Sequence, residues 1–148
     1  MKKLLLVLLF APLVVTCTKD NSTSNSNVQT FLEKYDGFGF VATLEYATSY
    51  LYFYNSPVFY KLVEISFDED EFGSGCVDAT EGYSAKYGAT LNIVTNENNN
   101  LLLEIVTDEG EVLSAEINVV GNTLTISDDD GITTYTKTAV EYSSHNCN

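Results

Sequence analysis

From residue 38 onward the chain is organised by alternation. Phe38, Phe40, Ala42 and Leu44 interleave with Gly39, Val41, Thr43 and Glu45, a period of two that sends successive side chains to opposite faces of a strand. Tyr50-Leu51-Tyr52-Phe53-Tyr54 follows, closed by an Asn55-Ser56-Pro57 turn, and Val58 to Phe67 reads as one long strand rich in β-formers. Further strand-like runs are Thr90 to Thr95, Leu101 to Thr107, Val112 to Val119, Thr123 to Ser127 and Ile132 to Lys137. The links between them, Asn96 to Asn100, Asp108-Glu109-Gly110, Gly121-Asn122 and Asp128 to Gly131, are rich in the residues that tolerate tight turns. Links this short force antiparallel neighbours. The region from Asp68 to Gly88 is the least regular and is expected to hold a short strand near Cys76.

One helix precedes the strands. Val28, Phe31, Leu32 and Tyr35 fall at helical spacing, with Asn27 placed to cap the start and Gly37 to end it. It is about two turns long, enough to pad one end of a larger body. Strands in unbroken succession predict a mainly β fold. An up-and-down barrel and a two-layer sandwich both fit, and the barrel removes exposed edges. The expected architecture is a small antiparallel up-and-down barrel of about eight strands with one short N-terminal helix.

Before residue 28 the pattern changes. Met1-Lys2-Lys3 is basic, and Leu4 to Val15 is apolar apart from Pro12. That run is shorter than the roughly 20 residues a membrane-spanning helix needs, and has the length of a signal-peptide core. Thr18 to Asn27 is polar, rich in Ser, Thr and Asn, and has the composition of a flexible tether. Fully extended, it reaches at most about 35 Å. Between the two stands Cys17.

Val14-Val15-Thr16-Cys17 resembles the lipobox of bacterial lipoproteins. The resemblance implies cleavage before Cys17 by signal peptidase II, acylation of that cysteine with palmitate-type chains, and attachment to a lipid bilayer. Two or more chains hold a protein stably on a membrane. Thr18, rather than aspartate, follows the cysteine, which by the same resemblance argues against retention in the inner membrane. Lys19-Asp20 is similar to the charged signals that send Bacteroidota lipoproteins to the cell surface. The expected organisation is a signal peptide over 1–16, a lipidated cysteine and tether over 17–27, and a single domain over 28–148, on the outer membrane. With Cys17 acylated, Cys76 and Cys147 of an exported chain are expected to pair in a disulfide, the alternative being two free thiols.

"GNTLTISDDDGITTYTK", Gly121 to Lys137, is similar to the last hairpin of lipocalin-like lipoprotein domains of Bacteroidota, and "FLEKYDGFGFVA" occupies the place of that family's opening helix and first strand. Phe38 and Phe40 stand where the family often has tryptophan, which this chain lacks. The resemblance implies a lipocalin-like barrel, with a small apolar or sugar ligand as the expected partner.

Charge narrows the choice of partner. Asp and Glu number 21 against seven basic residues, all lysines, for a formal charge of −14. A chain without a basic surface is no nucleic-acid binder, and a chain without arginine cannot make bidentate guanidinium contacts. The acidic balance points instead to solubility, a basic protein partner or divalent cations.

Within the expected domain the tyrosines are the first candidates. Tyr50, Tyr52 and Tyr54 share one strand face, with Leu51 and Phe53 on the other. Facing outward they form a ladder for a partner or a sugar; facing inward they line a cavity. The plain structural alternative is cross-strand aromatic pairing, with Leu51 and Phe53 as the core face. Asp68 to Glu71, Asp108 to Glu111 and Asp128 to Asp130 are acidic clusters. Calcium needs six to eight converging oxygens, and of the three, Asp128, Asp129 and Asp130 make the best candidate, though consecutive aspartates more often serve as solvated turn residues. His145, the one histidine, lies in a C-terminal tail, a poor place for a catalytic base. Nothing singles out a carboxylate pair or a nucleophile, so no catalytic residue and no cofactor are assigned. A monomeric, non-enzymatic binding domain is expected. A second expectation is a surface interaction module that inhibits a basic partner. The stretch from Asp130 to Tyr135 resembles the Ser-Gly-x-x-Tyr loop of lysozyme-inhibitor lipoproteins, one residue longer and without the serine.

Overall fold

The computed structural model describes residues 28–67, 75–84, 88–145 and 147. Cys17, the tether, and the acidic run Asp68 to Glu71 lie outside them. A short helix, α1 (Phe31–Lys34), leads into ten strands: β1 (Gly39–Thr43), β2 (Ala47–Phe53), β3 (Val58–Ser66), β4 (Gly75–Thr80), β5 (Gly82–Ser84), β6 (Ala89–Glu97), β7 (Asn100–Thr107), β8 (Val112–Val120), β9 (Thr123–Asp128) and β10 (Gly131–Thr138).

They form one antiparallel sheet in the order β4-β3-β2-β1-β10-β9-β8-β7-β6-β5. The first strand pairs with the last, through Gly39↔Thr138, Phe40↔Lys137 and Val41↔Thr136. Every other ladder joins neighbours in sequence, so the architecture is a nearly closed up-and-down barrel. The expected barrel is present with ten strands rather than about eight. The difference arises in the irregular region, where Cys76 lies on β4 and a three-residue strand, β5, follows one residue after β4 ends. Gly82, at φ +105°, lets the chain reverse there. No alternation signals a strand as short as β5.

The helix is one turn, not two. Thr30 caps it in place of the expected Asn27, which is outside the described residues. The Thr30 hydroxyl accepts from Glu33 N–H, and the Glu33 carboxylate accepts from Thr30 N–H, a reciprocal capping box. Phe31, Leu32 and Tyr35 are buried and pad one end of the barrel, as their spacing predicts. Phe31 packs edge-on to Phe53 at 5.1 Å and tilts against Tyr35 at 4.7 Å. Side chains from β6 and the turn that follows it tie the helix down, Asn96 Oδ1 accepting from Leu32 N–H and Asn99 Oδ1 accepting from the Tyr35 hydroxyl.

The core runs inward from this plug through Phe40, Leu51, Phe53, Leu101, Leu103, Ile117, Val119, Leu124 and Tyr135. Farther down the lumen turns polar: the Ser49 and Tyr135 hydroxyls hydrogen-bond at 3.2 Å, both buried. Turns after β2, β6 and β8 lie at the helix end. Those after β1, β7 and β9, which hold Glu45, Asp108 to Glu111 and Asp128 to Asp130, lie at the other.

Candidate functional site

Leu51 and Phe53 belong to the core, so Tyr50, Tyr52 and Tyr54 project to the outside of the barrel. They are not simply solvated. Tyr52 is 2% exposed, because the chain after β10 turns back across the outer wall and covers it. That strap passes through a single 3-10 turn, Tyr142–Ser144, and ends at Cys147, opposite Cys76 on β4. The two cysteine Cα atoms are 5.7 Å apart, the usual separation across a disulfide. The expected pairing is therefore seen, and it pins the strap over β1, β2, β3 and β4.

The sheet register explains what lies beneath it. Gly39, Tyr52, Lys61 and Asp78 stand side by side on four successive strands, as do Val41, Tyr50, Val63 and Cys76. A Cβ on Gly39 would stand 2.6 Å from Cε1 of Tyr52, so only glycine lets that ring lie flat across β1. The Tyr52 hydroxyl hydrogen-bonds Nε2 of His145 at 2.7 Å, and the Tyr50 ring packs on the imidazole at 4.6 Å. His145 is thus a clasp of the strap and not part of a loose tail. Tyr142 packs edge-on to Tyr52 at 5.6 Å, and Lys61 places Nζ 4.4 Å from the Tyr142 ring while pairing with Asp78 at 3.2 Å. Burial pushes the Tyr52 hydroxyl up to about 12, with Tyr50 and Tyr54 adding to the effect. Burial raises Tyr54 as well, against the opposing pull of Lys61.

Between the strap and the helix end of the barrel the wall is hollowed into a groove of about 540 Å³. Tyr52, Tyr54 and Phe38 line the barrel side, Tyr142 and Glu141 the strap side, and Lys137 stands at the edge with Nζ 3.7 Å from the Phe38 ring centroid. Aromatic surface flanked by one cation and one carboxylate offers stacking with hydrogen bonding around it, a combination suited to a ligand with apolar faces and polar edges.

Of the predicted tyrosines, Tyr52 and Tyr54 meet in this groove, whereas Tyr50 lies farther along, beneath His145. Phe38, Lys137, Glu141 and Tyr142 carry no local sequence signal of a shared site. One indirect signal existed: Cys147, which follows the last strand-like run by ten residues, can pair with Cys76 only if the segment after that run crosses the barrel wall.

The other candidates lie elsewhere. Asp128 uses Oδ1 to accept from the backbone of Asp130 and Gly131, at 3.1 Å each, so the calcium candidate is built as a hairpin turn. Among the described residues no group of three or more His, Cys, Asp or Glu side chains converges as metal ligands would. Compared with known proteins, the chain matches no family model, no curated protein and no solved structure.

Proposed function

We propose that this protein is a lipid-anchored, non-enzymatic binding domain that takes its ligand on the outer wall of the barrel. In this reading the N-terminal lipobox-like segment is cut before Cys17, and the barrel hangs from the outer membrane on the 18–27 tether, at the cell surface. The observation that carries the binding role is the groove. A short chain has built a covalently pinned strap across its own barrel, and four aromatic rings line the hollow beside it. A strap needed only to seal the wall would lie flush against it.

The ligand class that suits the groove is a small molecule with apolar faces and polar edges, such as a sugar. The test is native mass spectrometry of the full chain in detergent micelles, incubated with cell-envelope extract, against Tyr54→Ala and Glu141→Ala variants. The expected result is a species retained by the wild type and lost at least tenfold by both variants. Retention of nothing, or equal retention by the variants, overturns the reading. The anchor is tested separately: labelled palmitate should enter the wild-type chain and not Cys17→Ala.

One observation favours a second reading, a module that docks a basic protein. The acidic hairpins carrying Asp108, Glu109, Glu111 and Asp128 to Asp130 all lie at the end away from Val28, where the tether joins. A docked basic partner would be released by salt, because exposed charges are screened over about 8 Å at physiological ionic strength. Incubation with a basic lysozyme is the direct check: unchanged lysozyme activity removes the inhibitor form of this reading.

A further inference from the structure

The barrel is laddered all the way round except between β4 and β5. These two strands are joined by Glu81 alone, yet they pair away from each other, β4 with β3 and β5 with β6. From the reversal at Gly82 they splay, and the cleft between them holds a cavity of about 190 Å³. Its walls are inward-facing side chains from both flanks: Tyr60, Val77 and Ala79 on one, Leu91, Ala89 and Ile105 on the other. This cleft is on the opposite side of the ring from β10 and β1, well separated in the sheet order from the groove under the strap.

Its size and chemistry are specific. Protein interiors seldom leave voids larger than a water, whose share of liquid volume is about 30 Å³. A dry apolar cavity of about 150 Å³ takes up benzene. Among the described residues the walls are mostly aliphatic, with the Tyr60 ring and the Ser84 hydroxyl beside them, so a hydrocarbon group gains contacts along most of its length while water gains few partners. The outer rim is polar: Asp78 and Thr80 alternate with Val77 and Ala79 along β4, and Glu81 follows. Across the cleft the backbones of β4 and β5 share no ladder. Backbone groups there suit a neutral polar head, whereas Glu81 and the net charge of −14 disfavour a carboxylate, Asp78 being already paired with Lys61.

We propose that the β4–β5 cleft is a second binding site, which takes a short hydrocarbon group, a phenyl ring or an acyl chain of about six carbons, on a neutral amide or alcohol head. The ligand enters sideways through the wall, the apolar end among Val77, Leu91 and Ile105 and the head at Thr80. Fatty acids with an ionised head are excluded by the same rim.

The experiment follows methyl NMR signals of Val77, Leu91 and Ile105 in the full chain held in lipid nanodiscs, titrated with hexanamide, with benzyl alcohol, and with hexanoate as the charged control. Saturable shifts at these methyls with about millimolar affinity are expected for the two neutral probes, and at least tenfold weaker binding for hexanoate. Ala79→Leu, which fills the cavity, should weaken hexanamide at least tenfold, while Tyr54→Ala in the groove leaves it unchanged. Should Ala79→Leu fail to fold, Ala89→Leu, a half-buried position on the opposite wall, fills the same space. Absence of saturable shifts overturns the proposal. So does binding that survives the filling variants, shifts that centre on the methyls of Ala139 and Val140 in the groove under the strap, or hexanoate binding as well as hexanamide.

Discussion

At the residue scale the outer wall turns on Gly39 and Tyr52. A methyl on Gly39 meets Tyr52 Cε1 at 2.6 Å, Cδ1 at 2.8 Å and Thr138 Cγ2 at 3.2 Å. Gly39→Ala should therefore lift the ring, loosen the strap and cost about 1–3 kcal/mol, the usual range for overpacking. Gly75→Ala, with nothing within 4 Å of its added methyl, is the matched control and should stay within about 0.5 kcal/mol. Urea denaturation checks both, and equal midpoints for the two variants would show that the close approach at Gly39 is not what matters. Tyr52 also makes stability depend on alkaline pH. An unfolded tyrosine ionises near 10 and Tyr52 near 12, so between those values the unfolded chain binds fewer protons than the folded one. Stability then falls as pH rises from about 10 to 12, by at most about 1.4 kcal/mol per pH unit for this group. Burial shifts Tyr35, Tyr54 and Tyr135 in the same direction. Denaturation midpoints measured across that range should decline more steeply for the wild type than for Tyr52→Phe, and parallel curves would remove Tyr52 from the account.

Among the elements, the strap depends on partners distant in sequence. Cys76 and Cys147 are 71 positions apart. In the chain-entropy model a cross-link over such a loop stabilises by roughly 4 kcal/mol. The double variant Cys76→Ser/Cys147→Ser should lose up to about that amount, and its strap, left with ring contacts and the Tyr52–His145 hydrogen bond, should open. Limited chymotrypsin digestion reads this out at Tyr142: cleavage is expected in the variant and protection in the oxidised wild type. Equal protection in both would mean that aromatic packing alone holds the strap. Much of the rest was legible. The alternation of residues 38–44, 101–107 and 123–127 places strands within a few residues of where they occur, because inward and outward positions of a barrel wall differ in the water they meet. The length of α1 was less legible. Apolar spacing at Val28, Phe31, Leu32 and Tyr35 suggests two turns, but only the Thr30–Glu33 box sets the start, and Val28 is left 67% exposed. The β5 strand could not be seen at all, because three residues are too few to show a period.

For the whole molecule, charge is the dominant surface property. With four lysines against twenty Asp and Glu over residues 28–148, and acidic turns gathered at the end away from the helix, the folded barrel carries substantial self-repulsion. Raising ionic strength from about 0.1 M to about 1 M shortens the Debye length from about 10 Å to about 3 Å, and the urea midpoint should rise accordingly. A midpoint that is unchanged or lower would mean that compensating local pairs already neutralise the repulsion. Lys61 with Asp78 is such a pair, but exposed pairs of this kind contribute little.

What the sequence by itself determined is whatever is local: strand periodicity, turn chemistry and a lipobox-like pattern around Cys17. Each rests on neighbouring residues, and elementary sterics and solvation act between neighbours. Only the tertiary structure decided that Tyr52 and Tyr54 share an outer groove with Glu141 and Tyr142, that His145 clasps Tyr52, and that β4 and β5 part to leave a cleft. The strap contacts join segments about 90 residues apart, Tyr52 and His145 being 93 positions from each other. Their geometry depends on the stagger and closure of the barrel, which no short stretch of the chain encodes.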